Sequence, residues 1–219
     1  MMLVIGGVLD AASLGAIREA AAAMPFEDGR ATAGRAARTV KDNQQAAASP
    51  ERDAVFRKVE AALWATPLFN AAARPKRIAR MLLSRYAGGQ TYGTHVDDAF
   101  MGGARTDLSF TLFLSEPEAY AGGELVIEDP LEARSIRLAA GDMILYPSGA
   151  LHRVEPVTEG ERLAIVGWVT SRVRGAAERE VLFDLDRSIA ELDARGEAGA
   201  LRDRITKART NLLRLWGEE

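Results

Sequence analysis

A mainly β core with helices on both flanks is predicted by three features of the sequence. Over residues 77–172, short β-rich runs alternate with glycine-bearing turns, the pattern of an antiparallel sandwich or barrel. On either side of this region, apolar residues recur at helical spacing. The 219 residues, 47% hydrophobic and 27% charged, suffice for one soluble domain with helical additions around a buried core. Three regions result: an N-terminal strand and helices over 1–76 that pack on the core, the β core over 77–172, and a helical extension over 173–219.

The elements follow in order. Leu3-Val4-Ile5 is a short β run ended by Gly6-Gly7. Leu14, Ile17 and Met24 mark a helix in an alanine-rich stretch that Pro25 stops. Residues 30–45 are polar and predict extended chain or loop. Ser49-Pro50 reads as an N-cap with proline in the first turn, opening a helix whose Val55, Val59 and Leu63 share a face and which Pro67 ends or bends. Candidate strands then occupy 77–86, 91–97, 107–114, 124–128, 135–138, 142–146 and 163–170, with turns at Gly88-Gly89, Gly122-Gly123 and Gly141-Asp142. Val181, Leu185, Ile189 and Leu192 form one helical stripe, and Leu201, Ile205, Ala208, Leu212 and Leu215 another. Both are expected to face the core or to cover a partner subunit of a homo-oligomer.

Composition narrows the function classes. A net charge of −3 leaves no electrostatic footprint for nucleic acid or anionic membrane. The absence of cysteine removes disulfides, thiolate ligands and cysteine nucleophiles, and fits a reducing cytoplasm. Residues 1–9 are apolar but lack a basic n-region and run into Asp10, which predicts no signal peptide. No apolar run is long enough for a membrane span. The expectation is a cytoplasmic protein with no nucleic-acid or membrane partner.

The chain has two histidines, and both stand where a mononuclear metal site needs them. On a strand, His95 and Asp97 project to one side. With His152 from a distant strand they make a 2-His-1-carboxylate set, the arrangement that suits non-haem Fe(II) oxygenases. Taken alone, His-x-Asp is common by chance and isolated histidines are usually surface or hydrogen-bonded residues. Residues 98–105, with Gly102-Gly103, read as a loop over the mouth of a pocket. Strand alternation places Arg162, Ala164, Val166 and Trp168 on one face, where Arg162 can hold a carboxylate through two parallel hydrogen bonds. The same arginine also fits a surface salt bridge in the polar turn Glu159-Gly160-Glu161-Arg162. In residues 107–114, Leu108, Phe110, Leu112 and Leu114 are expected to meet the helices. Ser109, Thr111 and Phe113 then face the interior, where the two hydroxyls can bind a cosubstrate or satisfy backbone groups. Tyr86 and Tyr92 can each offer a hydroxyl to the pocket or pack with it at the surface.

The sequence resembles the bacterial PKHD-type hydroxylases, in the prolyl 4-hydroxylase-like group of Fe(II)- and 2-oxoglutarate-dependent dioxygenases. The stretches that carry the resemblance are 27–34, Tyr92-Gly93-Thr94-His95-Val96-Asp97, 107–114, Gly122-Gly123-Glu124-Leu125, 141–147, Leu151-His152-Arg153-Val154 and 211–216, spread over nearly the whole chain. The resemblance implies a double-stranded β-helix (jelly roll), with His95, Asp97 and His152 as Fe(II) ligands and Arg162 on the distal carboxylate of 2-oxoglutarate. Tyr86, Ser109, Thr111 and Trp168 are the further pocket candidates. It also implies O2 and L-ascorbate as reaction partners, with succinate and carbon dioxide released as a C–H bond of a peptide or small molecule is hydroxylated. Prolyl or lysyl side chains are the implied targets. Two rivals use the same residues: a cupin-like small-molecule binding module, and a zinc-dependent hydrolase with Glu124 or Glu155 as its base.

Overall fold

The computed structural model describes all residues except Ala33, Arg35, Ala36, Pro130 and Glu219. Ala33, Arg35 and Ala36 fall within the expected 30–45 loop, and Ala33 within the 27–34 stretch, so those parts lie outside the described residues. The first part of the chain forms β1 (Leu3–Ile5), α1 (Ala11–Ala23), β2 (Phe26–Asp28), β3 (Lys41–Asp42), β4 (Gln44–Ala46), α2 (Pro50–Ala65) and α3 (Pro67–Ala73). The central part gives β5 (Pro75–Ala87), β6 (Thr91–His95), β7 (Phe100–Met101), β8 (Ala104–Arg105), β9 (Leu108–Phe113), β10 (Tyr120–Gly122) and β11 (Leu125–Glu128). There follow β12 (Ala133–Ile136), β13 (Met143–Pro147), β14 (His152–Val154), β15 (Val157–Ser171), α4 (Ala176–Ala194) and α5 (Ala200–Trp216).

Two antiparallel sheets make a double-stranded β-helix. The larger runs β1-β13-β9-β15-β5-β4-β2, with β10 paired to β15, and the smaller runs β12-β11-β14-β6-β3. Residues 1–76 are thus more than a cover, because they supply both ends of the larger sheet and one edge of the smaller. The polar 41–46 segment, expected as extended chain or loop, carries two short strands that join different sheets: Lys41 pairs with Tyr92 and Gln45 with Ser84. Every residue of β9 is buried. Leu108, Phe110 and Leu112 join the core under the helices, while Phe113 joins the smaller core between the sheets, as the alternation predicts.

The helical core is built as the sequence spacing requires. Val55, Val59 and Leu63 of α2 are buried, and so are Leu14 and Ile17 of α1. Ser49 Oγ accepts a hydrogen bond from Arg52 N at 3.1 Å, satisfying one of the orphan donors at the start of α2. The C-terminal stripes depart from expectation. Leu182, at 0% exposure, is the buried apolar residue of α4, while Val181 is 43% exposed. In α5 no residue is buried, and Leu201 and Leu215 are 53% and 76% exposed. The period is helical, and in α4 Leu185, Ile189 and Leu192 are half-buried, so the departure there is Leu182 buried in place of Val181. Polar links do much of the anchoring: Arg74 and Arg209 both bond Asp186, and the buried Arg179 donates to the Val173 and Arg174 carbonyls. No helix among the described residues is long and apolar enough to cross a membrane.

Candidate active site

The two histidines arrive as a cross-strand pair, since His152 of β14 stands opposite His95 of β6. Directly opposed residues share a face, and the ring centroids lie 4.2 Å apart. His95 Nδ1 is 2.8 Å from the Gly93 carbonyl oxygen and His152 Nδ1 is 3.0 Å from that of Ala150. A carbonyl only accepts, so each Nδ1 carries a proton and each Nε2 is the nitrogen left to face a metal. Tyr92 stacks on His95 at 3.6 Å and the Tyr146 ring meets His152 edge-on at 5.2 Å, which fixes both imidazoles. Burial, with His152 beside it, pulls the His95 imidazole down to about 4, so it is neutral and able to bind a metal at neutral pH.

Strand β6 ends at His95, so Asp97 does not reach the site as the next same-face residue of a strand; it comes from the chain beyond the last ladder pair. Its carboxylate nonetheless turns inward, with Oδ1 at 4.0 Å from His95 Nε2 and Oδ2 at 3.8 Å from His152 Nε2. One atom from each of the three residues falls within 4.8 Å of the others. Two imidazoles and one carboxylate make a donor set suited to Fe(II). Ser109 Oγ donates to Asp97 Oδ2 at 2.6 Å. A hydroxyl has one proton, so Ser148 Oγ, 2.9 Å away, is left to donate to Ser109. Ser109 lines the cleft but acts on the carboxylate, holding its orientation.

Arg162 is the second focus. It sits on β15, only 1% exposed, so the surface-turn alternative does not hold. Its Cζ lies 5.4 Å from the Tyr86 ring centroid and 5.2 Å from that of Phe113. None of its three side-chain nitrogens has a hydrogen-bond partner among the described residues. The nearby Tyr120 hydroxyl, which the sequence did not single out, is likewise buried and unpartnered. Gly123, at φ 68, makes room here: a Cβ would come within 2.7 Å of Val157 and 3.1 Å of Arg162 Cδ. Burial pushes the Tyr86 and Tyr146 phenols up, so both keep their protons.

All these groups open on one cleft, whose lining includes the triad, Arg162, Tyr86, Tyr92, Ser109, Thr111 and Trp168. Trp168 pairs with Ser109 across β15 and β9, and its Nε1–H is buried without a partner. The 98–105 segment is a β7–β8 hairpin and not an irregular loop. Gly102 and Gly103 turn it at φ 57 and 75, and Thr106 Oγ1 ties its base to the Asp98 carbonyl at 2.5 Å. Asp98 and Met101 bring it to the cleft. The two glutamates of the hydrolase alternative are engaged elsewhere and do not line the cleft. Burial raises the Glu124 carboxyl, but its bond to Arg137, a backbone hydrogen bond and the charges of Arg137 and Arg162 together hold it below its ordinary value, while Glu155 accepts from Arg153 at 2.7 Å.

One cleft residue had no sequence signal: Lys41, 4% exposed. Its Nζ donates to Thr32 Oγ1 at 3.2 Å and lies 5.1 Å from the Tyr92 ring centroid. Burial lowers its ammonium to about 8. A cation–π contact contributes ~0.5–2 kcal/mol, whereas removing an ammonium from water costs several kcal/mol. The visible contacts do not offset that cost.

A fold of this kind around a 2-His-1-carboxylate set defines a class, and comparison with known proteins agrees. The model of the 2OG-Fe(II) oxygenase superfamily matches residues 81–170, and that of the PKHD-type hydroxylase C-terminal domain matches 177–218. The chain is 49% identical to a PKHD-type hydroxylase of Parvibaculum lavamentivorans over 220 residues, covering 100% of each. It is 52% identical to one of Maricaulis maris over 194 residues, covering 89% of each. Among solved structures, a Pseudomonas putida prolyl-4-hydroxylase aligns with a TM-score of 0.53 at 20% identity, over 78% of this chain and 92% of that one. A Trichoplax adhaerens prolyl hydroxylase, in complex with a hypoxia inducible factor oxygen degradation domain peptide fragment, gives 0.60 at 13% identity, over 78% and 83%. These two likenesses speak for the fold. The chain belongs to the PKHD-type hydroxylases and is a 2-oxoglutarate-dependent dioxygenase.

Proposed function

We propose that His95, Asp97 and His152 hold one Fe(II) and that Arg162 holds the distal carboxylate of 2-oxoglutarate, for hydroxylation of an unactivated C–H bond with release of succinate and carbon dioxide. The observation that carries this reading is the Arg162 guanidinium, buried in the same cleft as the triad with all three nitrogens unpartnered. A desolvated cation between two aromatic faces is costly unless an anion completes it, and a planar carboxylate meets its fork with two bonds. The triad's two imidazoles and hydrogen-bonded carboxylate fit a ferrous ion.

When bound, the iron and the keto acid supply the oxidising chemistry. The chain's residues orient and enclose. Tyr86 and Phe113 wall the Arg162 end, and Tyr120 offers a hydroxyl beside it. Thr111 and Trp168 line the cleft, Trp168 level with Ser109, and Ser109 steadies Asp97. L-Ascorbate, as the reductant that keeps the iron ferrous, rests on family likeness alone. The substrate, oxidised with O2, is by family likeness a prolyl or lysyl side chain or a related small molecule.

The test is uncoupled turnover, with ascorbate as the two-electron reductant in place of substrate. Ferrous protein incubated with 2-oxoglutarate and ascorbate in air should release succinate, and the Asp97→Ala protein should remain at the iron-only background. Equal release from both proteins would refute the assignment.

A further inference from the structure

Lys41, Asn43 and Gln45 alternate along the segment that crosses from the smaller sheet to the larger, so their side chains share a face. All three line the cleft, at 4%, 2% and 5% exposure. An inward face of a jelly roll is ordinarily apolar, and buried polar groups are ordinarily paired. These are only partly so. Among the described residues no carboxylate lies within ion-pair distance of Lys41, whose ammonium donates to the neutral Thr32 hydroxyl. Thr32 Oγ1 meets the Gln45 side-chain amide at 2.5 Å and the Gly29 carbonyl at 3.0 Å, and its one proton serves only one of them. Among the described residues neither polar atom of the buried Asn43 amide makes a hydrogen bond of good geometry, and the amide adjoins the Tyr86 hydroxyl. Its Oδ1 is packed on Gly29, where a Cβ would stand 1.8 Å away. One ammonium flanked by two side-chain amides, each of which carries an NH2 donor, makes a wall for an acceptor-rich anion.

We propose that this wall binds a carboxylate carried by the substrate, with Lys41 as its charged anchor, and that the enzyme acts on a small organic acid. The cleft then holds two anions: 2-oxoglutarate at Arg162, against Tyr86 and Phe113, and the substrate at Lys41, which adjoins the His95 side through Tyr92. The 27–34 stretch gains a role as a brace, because Thr32 and Gly29 orient Gln45 and Asn43. The two-anion arrangement rests on the proposed assignment of Arg162 to the cosubstrate. Lys41 is deep in the cleft, so the end of the substrate that reaches it is fully enclosed.

The experiment uses the full chain loaded with Zn(II) in place of iron and saturated with 2-oxoglutarate, titrated with fluoroacetate and, separately, with the neutral fluoroacetamide, read by 19F line width. Fluoroacetate should bind saturably with 2-oxoglutarate in place. Lys41→Met should weaken it by roughly tenfold or more, the loss of a charged hydrogen bond, while Lys41→Arg restores most of it and fluoroacetamide responds to neither substitution. Absence of saturable fluoroacetate binding to the wild type overturns the proposal. So does equal weakening of acid and amide, or failure of the arginine variant to recover binding while its thermal midpoint is unchanged. A parallel titration of 2-oxoglutarate keeps the two claims separate. If 2-oxoglutarate binds Lys41→Met less tightly, Lys41 belongs to the cosubstrate and the proposal fails. If 2-oxoglutarate does not bind the wild type at all, the function proposed above fails, and fluoroacetate binding without it decides on Lys41 alone.

Discussion

Replacing His152 by alanine is expected to strip iron from the protein and to lower turnover by well over about a hundredfold. Loss of an outer-shell partner of a metal ligand already costs about 10–100-fold, and a direct ligand is worth more. The chain has no third histidine to take its place. His95→Ala and Asp97→Ala should behave alike. In each case the fold should persist, because the β6–β14 ladder is made by backbone groups and not by these side chains. Metal content after anaerobic loading, with circular dichroism as the control for folding, measures this. A His152→Ala protein that retains near-normal iron and activity would remove it from the site.

Arg162→Ala should weaken 2-oxoglutarate binding strongly while leaving Fe(II) binding nearly unchanged. Truncating one partner of a buried, hydrogen-bonded charge pair typically costs ~2–5 kcal/mol. The environment favours the upper part of that range, since the guanidinium is 1% exposed and no protein acceptor competes for it among the described residues. Arg162→Lys should recover only part of the loss. An ammonium cannot reproduce the planar two-point contact, and it is hydrated more strongly than the weakly hydrated guanidinium that lies against Tyr86 and Phe113. Equal cosubstrate affinity in wild type and Arg162→Ala would detach Arg162 from 2-oxoglutarate.

The parts of this protein that could be read from sequence are those set by residue type and local period. His95, Asp97 and His152 were legible as a set because histidine is rare here and each sits beside a β run. Ser49-Pro50 was legible as a helix start because capping is a local interaction. The register that sets His152 opposite His95 was not, since pairing depends on which strands meet, and a one-residue slip would reverse both faces. Ser109 was visible as an inward hydroxyl, but its acceptor, Asp97, comes from chain beyond a strand end. The wall of Lys41, Asn43 and Gln45 escaped because inward polar residues break the apolar-in, polar-out alternation by which a strand is read, and a functional wall then looks like loop. In α4 the apolar residues recur at helical spacing over neighbouring positions, and only tertiary contact selects Leu182 over Val181 for burial.

The central claim is that one cleft holds ferrous iron on the triad and 2-oxoglutarate between that iron and Arg162. It is tested most directly by adding 2-oxoglutarate, without oxygen, to the Fe(II)-loaded protein and recording its visible absorption. A broad iron-to-ketoacid charge-transfer band should rise and saturate with one 2-oxoglutarate per protein, and should require both Asp97 and iron. A spectrum that stays flat while Fe(II) is demonstrably bound would contradict it.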